Sequence, residues 1–292
     1  MTGKIIKGIA GFYYINDGRN HVYQCKAKGV FRNRKIKPLV GDNVEFSVLD
    51  EEEKEGNIDV ILPRSNVLIR PAVANVDQAL VVFAITHPEP NLNLLDRFLV
   101  MMGIQGVPVT ICFNKVDLGE AGLVDKYRAI YERAGYEVHF VSTYEDTGLE
   151  EMRKFLRGKT SVLAGPSGVG KSSLTNCIQP QAAMETGDIS RKIERGRHTT
   201  RHSELFYVEE KTYMMDTPGF SSMFIDFLEP GELKHYFPEF GPYEDECKFL
   251  GCVHVGERVC GVKEALKRGD LSRSRYDNYI LMYEELKNKR RY

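Results

Sequence analysis

Gly165-Pro166-Ser167-Gly168-Val169-Gly170-Lys171-Ser172 follows the apolar run Thr160-Ser161-Val162-Leu163-Ala164 and leads into Ser173-Leu174-Thr175-Asn176-Cys177-Ile178. The stretch matches G-x-x-x-x-G-K-[ST], and a strand before and a helix after supply the context that gives the match meaning. Glycines let the backbone curl so that its N–H groups face phosphate oxygens. Lys171 brings a cation to the β- and γ-phosphates, and the Ser172 hydroxyl ligates Mg²⁺. The helix opening near Lys171 aims its positive end at the same charge. Gly165 through Ser172, with Ser173 behind them, are therefore candidate nucleotide contacts.

Outward from this loop, residues 67–225 alternate apolar strands with helical stretches. Runs at 78–85, 107–113, 137–141 and 160–164 are continuously apolar, as in parallel sheets covered on both faces. Helical spacing lies between them at 93–103 and 123–134. Strand–helix alternation of this kind predicts a doubly wound α/β domain.

Asn114-Lys115-Val116-Asp117 directly follows the 107–113 strand and resembles the N-K-x-D guanine-recognition element of GTPases. The Asp117 carboxylate can accept hydrogen bonds from guanine N1–H and the 2-amino group together, a donor pair adenine lacks. Asn114 would serve N7 and the loop, and Lys115 would lie against the purine face. Ser142-Thr143 resembles the S-A-K-type loop, with Thr143 departing from Ala. Asp216-Thr217-Pro218-Gly219 fits D-x-x-G: Asp216 would hold Mg²⁺ through water, and the Gly219 N–H would sense the γ-phosphate. Residues 197–201, Arg-His-Thr-Thr-Arg, lie where a switch I threonine belongs. Thr200 is the preferred Mg²⁺ ligand, with Thr199 beside it. Phe220 occupies the position after D-x-x-G where many GTPases orient water with a Gln, so His198 is the candidate water-positioning group.

The order of these motifs is abnormal. Ordinary GTPases run from phosphate loop to D-x-x-G to N-K-x-D, whereas here the base-reading element comes first. A circular permutation accounts for this and keeps every motif at the carboxyl end of a strand, where such sheets bind ligands.

Two further regions flank this domain. Residues 1–66 read as short strands, with 8–15 taken as one of them and Asn16-Asp17-Gly18 as a hairpin-type turn. A small oligonucleotide-binding (OB) barrel suits this pattern, and an SH3-like barrel fits nearly as well. Residues 226–292 read as short polar segments, a Cys/His cluster, and a helical tail over 271–287. The predicted domains are thus 1–66, 67–225 and 226–292.

Composition bounds the partners. The 40 basic and 41 acidic side chains leave a net charge of −1, so a nucleic-acid contact must be a local patch. One patch is Lys26, Lys28, Arg32, Arg34, Lys35 and Lys37, with Tyr23 and Phe31 interleaved; on a barrel this would combine phosphate contact with base stacking. No apolar run reaches the roughly 18 residues of a membrane span. The N-terminus lacks a signal-peptide core, so a cytoplasmic protein is expected; a monomer is expected as well.

Barrel, permuted GTPase and Cys/His cluster in this order resemble the ribosome small-subunit-dependent GTPase A (RsgA) family over essentially the whole chain. That resemblance implies GTP hydrolysis to GDP and phosphate, with Mg²⁺, stimulated by the small ribosomal subunit and its rRNA during late maturation. Two alternatives stay open: a GTP-gated RNA-binding factor with negligible turnover, and a permuted GTPase acting on the large subunit. An ATPase or kinase would leave Asp117 without a role. Cys247, Cys252, His254 and Cys260 offer three thiolates and an imidazole, a set suited to one tetrahedral, structural Zn²⁺. Their spacing departs from common finger patterns but matches the family's zinc knuckle.

Overall fold

The computed structural model describes residues 1–19, 21–29, 31, 36–69, 72–179, 204–216 and 225–289. Two compact units emerge, Met1–Leu80 with Thr147–Ala164 and Lys171–Pro218, and Val81–Asp146 with Gly165–Gly170 and Gly219–Tyr292.

The first unit opens with strands β1 (Thr2–Ile9), β2 (Phe12–Asn16), β3 (Val22–Ala27), β4 (Asn43–Asp50) and β5 (Glu55–Ile61). They close into a barrel in the order β1-β2-β3-β5-β4. This five-stranded Greek-key closure is the oligonucleotide-binding arrangement rather than an SH3-like one. Strand alternation sends Ile5, Ile15, Tyr23, Cys25, Val44, Phe46 and Ile58 inward.

Two expectations are corrected here. Residues 8–15 are not one strand. Ala10 (φ 51°) and Gly11 (φ 88°) turn the chain so that Ile9 faces Phe12. Left-handed backbone at both central positions is what a two-residue hairpin requires, and Ala at the first of them hid the signal. Tyr23 and Phe31 are not outward stacking platforms either: they are 3% and 7% exposed and pack in the barrel core. Strand alternation puts Tyr23 on the same face as Cys25, inside the barrel, and Phe31 packs on that core from outside the strands.

After the small pair β6 (Val67–Leu68) and β7 (Val73–Ala74) come β8 (Gln78–Ala84), β9 (Val109–Asn114), β10 (Glu137–Phe140), β11 (Thr160–Ala164), β12 (Phe206–Tyr207) and β13 (Tyr213–Asp216). Their sheet runs β10-β9-β8-β11-β13-β12. The pairs β10–β9 and β11–β13 are parallel, and β12 is antiparallel to β13. Every residue of β8 and β11 is buried, including the polar Gln78 and Ser161, whose side chains hydrogen-bond each other at 3.0 Å. Helices α1 (Leu92–Ile104), α2 (Leu123–Tyr131), α3 (Leu149–Leu156) and α4 (Lys171–Ile178) complete the α/β layers. Asn91 starts α1 by accepting the Leu94 N–H at 3.0 Å, a side-chain N-cap.

The second unit ends in two 3₁₀ segments, Pro230–Tyr236 and Pro238–Glu246, then α5 (Gly261–Arg268) and α6 (Arg273–Lys289). The polar reading of this region needs correction, because it has its own core. Phe237, Phe240, Cys252, Cys260, Val262, Tyr276, Tyr279 and Met282 pack together, and Val100 of α1 joins them. Inside this packing lies a polar cluster. Arg275, 1% exposed, donates to Glu239 Oε1 at 2.8 Å and to Asp96 Oδ1 at 2.6 Å. Asn278 donates to Asp96 Oδ2 at 2.6 Å. Burial works against the Arg275 charge, but the Asp96 and Glu239 carboxylates outweigh it and hold the guanidinium charged well above its usual range.

Candidate functional site

Each base-site residue sits where its strand stops. Asn114 ends β9 and is fully buried. Its Nδ2 donates to the Val169 carbonyl at 3.0 Å, and its Oδ1 accepts the Thr143 N–H at 3.3 Å. One amide thus ties the β9 end to both the phosphate loop and the loop after β10. Lys115 adopts the left-handed conformation, φ 63°. Its ammonium donates to the Gly168 carbonyl at 2.7 Å and to the His87 carbonyl at 2.6 Å. The stem is therefore stretched across the phosphate loop rather than left in solvent. Asp117 Oδ1 accepts the Ser142 hydroxyl at 2.5 Å. Ser142 Oγ in turn accepts the N–H groups of Tyr144 at 3.2 Å and Glu145 at 3.0 Å. Among the described residues the second carboxylate oxygen accepts no hydrogen bond.

Two glycines of the phosphate loop are dictated by close approach. A Cβ on Gly165 (φ 140°) would lie 2.1 Å from the Val82 carbonyl oxygen. A Cβ on Gly170 (φ 92°) would lie 2.3 Å from Asn114 Nδ2. Only glycine permits both contacts. Pro166, Ser167, Gly168 and Val169 complete the loop. Lys171 follows Gly170 directly and begins α4, with Ser172 and Ser173 exposed in its first turn. Asp216 ends β13. His198, Thr199, Thr200 and Gly219 lie outside the described residues.

The structure draws Cys247, Cys252, His254 and Cys260 together. Each offers one ligand atom, and these atoms lie within 4.8 Å of one another. His254 Nδ1 is 3.4 Å from the sulfurs of Cys252 and Cys260 and 3.7 Å from that of Cys247. Cys247 and Cys260 sulfurs are 3.9 Å apart. Thiolates sharing one Zn²⁺ at roughly 2.3 Å would stand about 3.8 Å apart, so the set fits a tetrahedral ion. Nε2 of His254 is turned to Glu244 Oε1 at 3.3 Å, which orients the ring with Nδ1 toward the sulfurs. Burial pushes the Cys252 thiol up to about 12, raises that of Cys260, and lowers His254. A dication at their centre opposes the first two shifts by favouring thiolates. Tyr276 and Tyr279 hydroxyls donate to the carbonyls of His254 and Val253, both at 2.6 Å, fixing the loop from α6.

The basic patch divides. Lys26 lies over the Phe12 ring at 5.1 Å, Lys28 pairs with Asp59 Oδ1 at 2.6 Å, and Lys37 is exposed. Arg32, Arg34 and Lys35 lie outside the described residues. Sequence reasoning missed His87, Glu244 and the Arg275 cluster. His87 contributes only a carbonyl, Glu244 acts on a ligand ten residues away without being one itself, and the Arg275 cluster spans long sequence gaps, so no local motif signals them.

A family model described as RsgA GTPase matches residues 61–226, and one described as RsgA N-terminal domain matches residues 2–58. A protein of Agathobacter rectalis called small ribosomal subunit biogenesis GTPase RsgA is 57% identical, with 100% of both chains covered. Its namesake in Alkaliphilus metalliredigens is 53% identical, with 99% of each covered. Among solved structures, YloQ, described as a circularly permuted GTPase, aligns with a TM-score of 0.81 at 39% identity, covering 99% of this chain and 95% of that one. YjeQ from Thermotoga maritima aligns with a TM-score of 0.81 at 36% identity, covering 98% of each.

Proposed function

Because the chain belongs to the RsgA family of circularly permuted GTPases, we propose that it binds the small ribosomal subunit and hydrolyses GTP in that subunit's late maturation. The observation carrying the nucleotide half is the Asn114 amide, which joins the base-side loop to the phosphate loop through Thr143 and Val169.

In this reading the unused Asp117 oxygen and its neighbour take the guanine donor pair, while Ser142 holds the carboxylate still. The backbone N–H groups of the 165–170 loop, Pro166 excepted, and the Lys171 ammonium take the phosphates. Ser172 and Thr200 hold the Mg²⁺ that accompanies GTP, with Asp216 acting through water, and Gly219 reports the γ-phosphate. Mg²⁺ supplies charge neutralisation between the β- and γ-oxygens. Residues 1–66 form an RNA-binding end domain, 67–225 the GTPase, and 226–292 a zinc-binding end domain whose Cys247, Cys252, His254 and Cys260 hold one structural ion. Lys26, Lys28, Arg32, Arg34, Lys35 and Lys37 contact rRNA phosphates. The protein acts as a cytoplasmic monomer; among the described residues no helix is long and apolar enough to cross a membrane.

Turnover measured alone, with small subunits and with large subunits tests this. Selective acceleration by small subunits is expected. Acceleration by large subunits alone would reassign the partner, and GTP-dependent binding without turnover would leave a gated RNA-binding factor.

Asp117→Asn is expected to weaken GTP about 10- to 100-fold and to favour a xanthine nucleotide, whose extra carbonyl suits the amide. Asn keeps an oxygen for Ser142, so the loop should stand. Unchanged GTP affinity would remove the base-reading role. His198→Ala should spare GTP affinity and subunit binding and remove most subunit-stimulated turnover. Stimulation at the parental rate would shift the water-positioning role to the ribosome.

A further inference from the structure

β13 begins at Tyr213 and ends at Asp216, so whatever fixes its first residue bears on its last. Tyr213 is 2% exposed, and its hydroxyl donates to Asn16 Oδ1 at 2.9 Å. The same oxygen accepts the Gly18 N–H at 2.9 Å. A backbone N–H can only donate, so the Asn16 amide cannot be turned round, and the phenol must be the donor. Asn16 is fully buried, and its Nδ2 has no partner among the described residues. An idle buried amide donor is costly, and an apolar residue would avoid it. The acceptor is the feature that the position supplies.

The contact does not stand alone. Lys4 lies over the Tyr213 ring at 5.6 Å. Leu205 N–H donates to the Ile6 carbonyl at 2.8 Å, and Lys7 pairs with Glu204 at 2.9 Å. The Tyr207 hydroxyl donates to the Gly18 carbonyl at 3.3 Å, and its ring lies 5.7 Å from that of Tyr213. Barrel strands β1 and β2 thus grip β12 and β13 together. In sequence, β12 follows the stretch containing Thr200, and β13 delivers Asp216.

We propose that Asn16 and Tyr213 form a positioning pair by which the barrel sets the strand carrying Asp216, so that this hydrogen bond governs hydrolysis rather than GTP binding. The inference rests on the reading above, in which Asp216 holds the Mg²⁺ water. The test is a mutant cycle in the full-length, metal-loaded chain: Tyr213→Phe, Asn16→Leu and the double variant. Single-turnover hydrolysis, GTP affinity and melting temperature are measured for each, with Asp216→Asn alongside. Each single variant should lose turnover about 3- to 10-fold with GTP affinity unchanged. In the double variant the unpaired phenol is gone but the Gly18 N–H still lacks its acceptor, so stability should recover part of the Asn16→Leu loss while turnover stays low, no lower than in the singles. Turnover that recovers with stability would reduce the pair to packing and overturn the proposal, as would parental turnover in Tyr213→Phe. Parental turnover in Asp216→Asn would instead sink the assignment of Asp216, a separately visible failure.

Discussion

Lys171→Ala is expected to lower GTP turnover by about 100- to 1000-fold, the range for removing one preorganised charge from a developing anion. The substitution should leave the loop in place. Its shape is set by Gly165 and Gly170, whose absent side chains admit the Val82 carbonyl and the Asn114 amide. Asn114 also grips the Val169 carbonyl, and Lys115 grips that of Gly168. None of these contacts uses the Lys171 side chain, so they should survive removal of the cation. Gly170→Ala should fail differently: its methyl would meet Asn114 Nδ2 at 2.3 Å and break the tie between the loops, lowering stability as well. Single-turnover rates at saturating GTP, with melting curves for both variants, separate the two effects. Parental turnover in Lys171→Ala would end the phosphate-loop assignment.

Cys252→Ser is expected to cost about 3–5 kcal/mol of stability in the C-terminal region, the scale of a lost metal site or an equivalent buried defect. Cys252 is 2% exposed, and its sulfur lies 3.4 Å from His254 Nδ1. A serine hydroxyl does not become an anionic ligand at neutral pH, so one corner of the tetrahedron is lost. Cys252 and Cys260 also belong to the apolar cluster of Phe240, Tyr276 and Tyr279, so the defect should spread along that packing. Elemental analysis should find about one Zn²⁺ per parental chain. Hydrogen exchange should rise over residues 247–260 in the variant, while GTP affinity holds. A parental chain that is metal-free yet fully protected over this segment would refute the zinc assignment.

The legible part of the molecule is the part whose chemistry lies in consecutive residues. The phosphate loop, N-K-x-D and the Cys/His cluster each carry their ligands within a short stretch, and β8 and β11 announce their burial by the apolar runs at 79–84 and 162–164. Gly165 and Gly170 were legible as glycines, but not why: the groups they admit, Val82 and Asn114, lie far away in sequence. Tyr23 and Phe31 misled because a ring beside lysines reads as a stacking platform, whereas strand alternation turns Tyr23 inward and Phe31 packs against the same core. Asp96, Glu239, Arg275 and Asn278 each look like solvated polar residues, and only the approach of α1 to α6 makes them a buried cluster. Asn16 reads as a turn residue, which it is, and nothing local marks it as the acceptor for Tyr213.

The Arg275 cluster also bears on incomplete chains. Asp96 lies on α1, in the same unit as the base-reading loop, while its countercharge comes from a helix that begins only at Arg273. A product ended before Arg273 by a premature stop or a protease would lose both the guanidinium and the helix that covers Asp96, exposing the face of α1 that carries Asp96 and Val100. Such a fragment retains every nucleotide motif in its sequence, yet the helix that follows β8 is undermined. Such remnants should unfold and be degraded more readily than the full chain.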